Sequence, residues 1–387
     1  MWVRLGSPPL SSPQRKTTVN PRSRTPLTIA LLLATAFALT ACSTPTPEPT
    51  TPGPSLSVVI VTPAATASAG FLEQAIASTT AVATSLGASV DVLESADADA
   101  LHENVATAIA AAPDLIIGLT DEVLYEFDPA AASNLEQQFL LVDTSAAEPT
   151  SNLTSIVFRD YEALYLTGVE ASLLAGTDDS AIGVVAPEED PLVQSWTGTF
   201  SDGAQQISRT ASPSVGYIGG NLPTANADGA ATIAAALAAD GARYLQSVEL
   251  APGVDLLAAA SDSGFATFGS QVDQCSLAPG HVVDSTIKRV DVALEATLPR
   301  VLDGDTGGVY SFGLAEGGVT LAALEDGAAG SGCLIVDHPD LLARVADERD
   351  RIVSGETLVA DPLYAQPIAD LGDANDLIGE TWGREAP

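Results

Sequence analysis

The sequence predicts an α/β fold with two lobes, each built on a largely parallel β-sheet that helices cover on both faces. Short apolar runs rich in β-branched residues recur beyond residue 56, without the alternation of a half-exposed strand. Alanine-rich stretches with helical spacing separate most of these runs. Roughly ten such units exceed one doubly wound sheet, which favours two lobes.

The predicted strands and helices alternate along the chain. The strands are expected at Ser57–Val61, Ser89–Leu93, Leu115–Gly118, Phe139–Val142, Ser155–Phe158, Ala181–Val185, Val215–Ile218, Tyr244–Val248 and Phe265–Phe268. The helices between them include Phe71–Leu86, Ala98–Ala111, Tyr161–Ala175 and Ala225–Ala239. No sequence repeat relates the two lobes. Because ligands of open parallel sheets bind beyond the carboxyl ends of the strands, two facing lobes would line a shared cleft with those ends.

Residues 1–41 have the pattern of an export signal. A basic segment precedes an uncharged apolar run, Pro26–Ala38, which is too short to span a membrane. The run ends in Leu39-Thr40-Ala41-Cys42, which resembles the lipobox of bacterial lipoproteins. That resemblance implies cleavage before Cys42, lipidation of this cysteine (palmitate included), and a protein anchored on the extracytoplasmic face of the cell membrane. The alternative is a hydrophobic N-terminus with a chance cysteine.

Residues 42–55 form a lipid-anchored linker rich in proline and threonine. Proline at this density favours an extended polyproline chain that reaches at most about 40 Å. The remaining residues, 56–387, are predicted to form the binding domain. Lobe 1 is expected to comprise about 56–160 and about 270–320, and lobe 2 about 180–268 and the C-terminal segment.

The exported part of the chain is strongly acidic. None of the fifty acidic residues and five of the fifteen basic ones lie in residues 1–41, so the remainder carries a formal net charge of −40. Such a chain repels nucleic acid and anionic lipid head groups, and neither is expected as a partner. Adaptation to salt or simple solubility also accounts for this charge. A hydrophobic content of 46% indicates a folded protein.

The three cysteines and three histidines indicate no metal site. With Cys42 assigned to lipid, Cys275 and Cys333 remain in an exported domain and are predicted to pair as a disulfide. Two isolated buried thiols are the alternative. The three histidines are scattered, so no metal or cofactor is expected. The chain also lacks the Ser-His-acid, His-Glu-x-x-His and phosphate-loop patterns, which argues against an enzyme.

An ordered set of motifs resembles one family. These motifs are Leu115–Gly118, Phe139–Asp143, Val157–Glu162 with Leu166–Val169, Ser285–Asp291, and Phe312–Leu314 with Gly317–Val319. From about Ser57 to about Ser354 they resemble the basic membrane protein (BMP) family of ABC-transporter substrate-binding lipoproteins, the PnrA-like nucleoside-binding group. The resemblance implies a type I periplasmic-binding-protein fold, in which two Rossmann-like lobes joined by hinge strands close on a small ligand. It also implies delivery of that ligand to an ABC permease and its ATPase.

The resemblance further implies a set of ligand-binding residues. Lys288 occupies the position of a lysine that reaches ribose hydroxyls, and Phe71 and Trp196 the positions of two rings that stack on a base from opposite lobes. Asp143 matches an aspartate that accepts hydrogen bonds from the ligand. Each residue also has a structural alternative: a surface ion pair for the lysine, core packing for the rings, and a turn or helix cap for the aspartate.

Several positions depart from the family pattern. Gln271 stands where the family has an aspartate that binds ribose, and Asp273 follows it. Leu72 replaces an asparagine that reads the purine edge, and Val248–Pro252 replaces a glycine-rich loop. A nucleoside-like ligand is therefore expected, with a different nucleoside or another small polar molecule as the alternative. The second functional class is a ligand-sensing or partner-binding lipoprotein that keeps the fold without transport.

Overall fold

The computed structural model describes residues 56–64, 70–146, 150–187, 189, 191–219, 227–248 and 254–363. The predicted export signal, Cys42 and the linker lie outside these residues. So do most of the first loop of the binding domain and residues 249–253.

The first sheet contains six strands, and every neighbouring pair is parallel. Its strands are β1 (Ser57–Pro63), β2 (Ser89–Ser95), β3 (Leu115–Leu119), β4 (Phe139–Val142), β5 (Leu153–Phe158) and β11 (Gly308–Phe312). Their order across the sheet is β11-β5-β4-β3-β1-β2.

The second sheet repeats this arrangement. Its strands are β6 (Ala181–Ala186), β7 (Ser214–Tyr217), β8 (Ala242–Ser247), β9 (Ala266–Gly269), β10 (Val282–Lys288) and β12 (Val319–Leu321). Their order, β12-β10-β9-β8-β6-β7, matches the first sheet position by position, although β12 runs antiparallel to β10. The two lobes are therefore related in topology although their sequences show no repeat.

Helices cover both faces of each sheet. They are α1 (Phe71–Ser85), α2 (Ala98–Ala111), α3 (Leu124–Ser133), α4 (Asp160–Asp178), α5 (Pro191–Ile207), α6 (Ala227–Ala239), α7 (Val254–Ser263), α8 (Val290–Leu302) and α9 (Pro339–Val353). Helices α1 and α8 pack on one face of the first sheet and α2 and α3 on the other, whereas α4 and α5 face α6 and α7 across the second. Within the described residues, no helix combines the length and apolar composition needed to cross a membrane.

Strand β1 illustrates why these apolar runs become central strands. Val58 and Ile60 point into one core of the first sheet, and Val59 and Val61 into the other. Burying an aliphatic side chain of this size contributes roughly 1.5–3 kcal/mol, so a run that is apolar at every position is most stable between two layers of helices. The predicted α/β class with two parallel-dominated sheets is confirmed.

Helix α4 connects the first sheet to the second and is buried along most of its length. It packs closely against α5 because each of the two helices has a glycine that contacts the backbone of the other. A Cβ atom on Gly168 would lie 2.0 Å from the Phe200 carbonyl oxygen, and one on Gly203 would lie 1.9 Å from that of Tyr165. Side chains at these positions would force the helices apart.

The predicted lobe boundaries need one correction. The sequence predicts that the segment at about 270–320 belongs to lobe 1, but β10 pairs with β9 in the second sheet and β12 pairs with β10. Only β11, together with α8, joins the first sheet from this segment. Strand pairing is a long-range property, and the polar run Asp284-Ser285-Thr286 hides β10 from a search for continuous apolar strands.

Within the described residues the chain crosses between the sheets three times, and the first two crossings are hydrogen-bonded to the third. At the start of α4 the Arg159 N–H donates to the Phe312 carbonyl, and before α8 the Arg289 N–H donates to the Gly318 carbonyl, both at 2.8 Å. The side chain of Arg159 pairs with Glu162 and Glu316, and that of Arg289 pairs with Asp291 and Glu325. These contacts form the hinge region of the molecule.

Candidate functional site

An ion pair joins the carboxyl ends of strands from the two sheets. Lys288 is the last residue of β10, and Asp143 directly follows β4. The Lys288 Nζ atom donates to both carboxylate oxygens of Asp143, at 2.8 and 2.9 Å. The Asp143 backbone has a positive φ of 69°, which aspartate tolerates better than most residues.

Asp160, to which neither a motif nor the family resemblance assigns a role, completes this group. It begins α4 two residues beyond β5, and its Oδ2 lies 3.3 Å from Lys288 Nζ. The sequence signal that could have identified Asp160 is an acidic residue just beyond a strand end, the same signal that identified Asp143. The three side chains carry one net negative charge.

Burial and the neighbouring charges shift the pKa values of this group in opposite directions. Lys288 is only 8% exposed. Burial alone would lower its pKa, but Asp143 and then Asp160 outweigh that effect and raise it, so the lysine is charged. Burial also raises the pKa of Asp143, and the attraction of Lys288 offsets this only in part because Asp160 and Asp121 add negative charge nearby. Lys288 is thus held as an ammonium in a site that favours positive charge.

Phe71 lies against the charged end of Lys288. It is the first residue of α1, directly after Gly70 in the left-handed region, and it is 3% exposed within the core of the first sheet. The Lys288 Nζ atom lies 5.5 Å from the centre of its ring, within the range of a cation–π contact. Phe71, Asp143 and Lys288 therefore converge.

Gln271 contacts Lys288 through its backbone. Its φ is 67°, and its carbonyl accepts a hydrogen bond of 3.0 Å from the Lys288 N–H. The next residue, Val272, packs into the core of the first sheet with Phe71. The loop after β9 therefore reaches from the second sheet to the first, beside Lys288.

Trp196 and Asp273 have other neighbours. Trp196 lies on α5, is half-buried and packs against the core of the second sheet, and it makes no ring contact with Phe71 in the described chain. Asp273 is exposed, and its carboxylate accepts a hydrogen bond of 2.9 Å from the Cys275 N–H. The stacking role of Trp196 and the ligand role of Asp273 stay predictions.

A disulfide links Cys275 to Cys333, whose Cα atoms lie 4.7 Å apart. Within the described residues, Asp273 and these two cysteines form the one group of potential metal ligands. Because both sulfurs are bonded to each other, the group offers no thiolate to a metal ion. The disulfide instead ties the loop after β9 to the segment before α9.

The structure resembles solved binding proteins. It superposes on an ABC transporter system solute-binding protein from Aeropyrum pernix K1 with a TM-score of 0.63 and 22% identity, covering 79% of this chain and 94% of that one. This likeness defines the class of the fold: a type I periplasmic-binding-protein fold with two lobes.

Sequence comparison gives the family. The sequence profile of the PnrA-like ABC transporter substrate-binding proteins matches residues 55–329, and the chain belongs to this family. It is 26% identical over 287 residues to a CD4+ T-cell-stimulating antigen of Listeria monocytogenes, covering 70% of this chain and 76% of the relative. It is also 30% identical over 195 residues to an uncharacterised lipoprotein of Pyrococcus abyssi, covering 48% of each chain.

Proposed function

We propose that this protein is a lipid-anchored, extracytoplasmic binding protein of an ABC importer that captures a nucleoside-like ligand and delivers it unchanged to a permease. The observation that carries the proposal is the convergence of Phe71, Asp143 and Lys288 at the carboxyl ends of the two sheets. Ligands of open α/β sheets bind at such strand ends. A ring, a carboxylate and an ammonium together suit a flat molecule that carries hydroxyl groups.

The charge of the site narrows the ligand class. Asp143, Asp160 and Lys288 leave one negative charge, and the surrounding protein is strongly acidic. A phosphate group would meet repulsion that an uncharged sugar hydroxyl would not. The proposed ligand is therefore a nucleoside rather than a nucleotide.

Ligand binding must rearrange this group. The Lys288 ammonium has three N–H donors, and the two carboxylates face them at 2.8, 2.9 and 3.3 Å. A ligand hydroxyl that binds Lys288 would replace the longest of these contacts, the one to Asp160. Binding would favour the closed arrangement only through contacts that both lobes make with the ligand.

A thermal-shift screen tests the ligand class. The panel contains adenosine, guanosine, inosine, uridine, the corresponding 5′-monophosphates, free bases, ribose and amino acids. At 100 times Kd a ligand stabilises the folded state by about 2.7 kcal/mol, which raises the melting temperature measurably. We expect a shift with nucleosides and none with monophosphates. Shifts from another class alone would contradict a nucleoside ligand and leave the family assignment intact.

The lipid anchor is tested separately. Cells that express the protein are fed a labelled fatty acid, and label is expected on the parent and on Ser43→Ala but not on Cys42→Ser. The lipobox-like sequence and the lipoprotein relative support this expectation. Unlabelled parent protein in a membrane-free fraction would contradict it.

Two observations favour a second function, a ligand-sensing lipoprotein without transport. Lys288 is already paired within the protein, and Leu72 and Gln271 replace family residues that bind the nucleoside. Uptake of a confirmed ligand separates the two functions. Loss of uptake on deletion of the gene supports transport, whereas unchanged uptake with retained binding supports sensing.

A further inference from the structure

Two carboxyl groups meet in the core of the second lobe, away from the Lys288 group. Glu170 lies on α4 and Asp284 lies in the middle of β10, and both side chains are 0% exposed. Acidic side chains are rarely buried so fully unless a partner compensates their charge. The pair therefore requires a compensating charge, donor or proton.

The hydrogen bonds of the pair are incomplete if both groups are ionised. Asp284 Oδ1 accepts from the Ser285 N–H at 2.7 Å and from the Ala323 N–H at 2.9 Å. Within the described chain, no donor reaches Asp284 Oδ2 or either carboxylate oxygen of Glu170. A buried carboxylate oxygen without a donor destabilises the folded state, so three of them together carry a large free-energy penalty.

In the part of the chain that the structure describes, no cation compensates the two carboxyls. Within the described part of the chain, no Lys, Arg or His nitrogen lies within 4.0 Å of either group. Lys288, on the same strand as Asp284, is held by Asp143 and Asp160. Asp273, in the loop after β9, also acts on Asp284, and its charge has the same sign.

The remaining elements that pack on α4 add no compensating charge. Strands β6 and β12 contain no ionisable residue. On β8, Arg243 donates to the Gly264 carbonyl and Tyr244 to Asp178, at the start of the strand. Helix α9 presents Glu348, which Arg351 binds at 2.9 Å, and α5 presents Asp202.

We propose that Glu170 and Asp284 form a buried proton-binding site, which holds one shared proton at neutral pH and thereby hydrogen-bonds α4 to β10. A proton on one carboxyl supplies the donor that the contact lacks, and it removes one of the two buried charges. Burial raises the pKa of both groups, and for Glu170 the charge of Asp284 and the contact with it raise the pKa further. The proton belongs to the pair rather than to either residue.

The site makes stability depend on pH. In the unfolded chain both carboxyls lose their protons near pH 4, whereas the folded pair keeps one proton at higher pH. Above about pH 4 the folded state therefore binds one proton more than the unfolded state. Because of this extra proton, the equilibrium constant for unfolding rises by up to tenfold for each pH unit, until the folded pair loses the proton. The stabilisation is lost as the pH rises.

Denaturant unfolding between pH 5 and 9 tests the proposal with Glu170→Gln. The glutamine amide donates permanently to Asp284, so the variant needs no shared proton. Glu103→Gln, at an exposed position on α2, removes the same formal charge elsewhere. We expect the unfolding equilibrium constant of the parent and of Glu103→Gln to rise with pH more steeply than that of Glu170→Gln. The difference should amount to a factor of up to ten for each pH unit. Equal slopes in all three proteins would overturn the proposal.

Infrared spectroscopy of the parent gives a second test that does not depend on the folding of a variant. A protonated carboxyl has a C=O absorption distinct from that of a carboxylate, and it shifts in D2O. We expect this absorption in the folded parent at pH 7 and its loss at alkaline pH. Its absence at pH 7 would overturn the proposal. So would stabilisation by Na⁺ or Ca²⁺ in the parent but not in Glu170→Gln, because the pair would then hold a cation instead.

Discussion

Lys288, at the end of the second sheet, donates two hydrogen bonds to Asp143, at the end of the first, although the residues are 145 positions apart in the chain. The pair lies where the chain crosses between the lobes, beside the hinge contacts of Arg159 and Arg289. It therefore links the strand ends of both lobes and, under the proposed function, forms one side of the ligand site.

The first prediction concerns the stability that this ion pair supplies. Lys288→Gln leaves two neighbouring carboxylates without their ammonium, and breaking a buried pair in this way costs about 3 kcal/mol. We expect such a loss in urea unfolding at pH 7, and a change within about 0.5 kcal/mol for the exposed Arg344→Gln. Adding Asp143→Asn to Lys288→Gln should restore part of the loss. A loss below about 1 kcal/mol for Lys288→Gln would show that the pair is not structural.

The second prediction uses the fact that Lys288 is the one lysine in residues 42–387. An ammonium with a raised pKa offers little free amine, and each pKa unit lowers that fraction about tenfold. We expect an amine-reactive ester to modify Lys288 at least about tenfold more slowly in the folded protein than in urea, as measured by peptide mass spectrometry. Asp143→Asn should accelerate the modification and the exposed Asp347→Asn should not. Equal rates in folded and unfolded protein would contradict the buried pair.

The third prediction concerns the hinge at acid pH. The hydrogen bond from Arg289 lowers the pKa of Asp291, so this pair stabilises the fold above the unfolded pKa of about 4 and loses that effect as the pH falls through the folded value. Because both side chains are partly exposed, the contribution is roughly 0.5–1 kcal/mol. Asp291→Asn should be less stable than the parent by this amount at pH 7 and equal to it near pH 2. A difference that persists unchanged at pH 2 would contradict this origin.

The fourth prediction assigns charge selectivity to Asp160. Asp160→Asn brings the group with Asp143 and Lys288 from one negative charge to neutrality. We expect the variant to bind nucleoside monophosphates measurably in titration calorimetry, whereas the parent and Asp347→Asn do not. If Asp160→Asn discriminates as strongly as the parent, the selectivity lies in the shape of the site or in other residues.

Local sequence patterns predicted much of the fold. The runs Phe139–Val142 and Ala181–Ala186 are apolar at each position, and both became central strands because only burial on two faces satisfies them. Helix Ala98–Ala111 has its predicted bounds, and it begins at Ala98 because Asp97 caps its first turn. Each of these elements is determined by neighbouring residues.

Long-range relationships could not be predicted in the same way. Periodicity does not tell which sheet β10 joins. Because β10 contains polar residues such as Asp284, it also lacks the continuous apolar run of a buried strand. Family resemblance predicted ligand roles for Phe71, Asp143 and Lys288, which the structure places side by side, but it gave no sign that Asp160 would share the lysine. Glu170 stood in an apolar helix 114 residues from Asp284, and only the folded structure relates the two.

The most direct test of a ligand site at Phe71, Asp143 and Lys288 is calorimetric titration of adenosine, guanosine, inosine and uridine into Phe71→Leu and Phe127→Leu. Both phenylalanines are buried in the first lobe, but Phe127 lies in the core on the opposite face of the sheet, so both variants lose core packing and only Phe71→Leu loses a ring beside Lys288. Stacking on an aromatic ring contributes about 1–3 kcal/mol, so Phe71→Leu should weaken binding by roughly 5- to 150-fold while Phe127→Leu binds like the parent. Equal affinities of the two variants for a nucleoside that the parent binds would contradict a ligand site at Phe71.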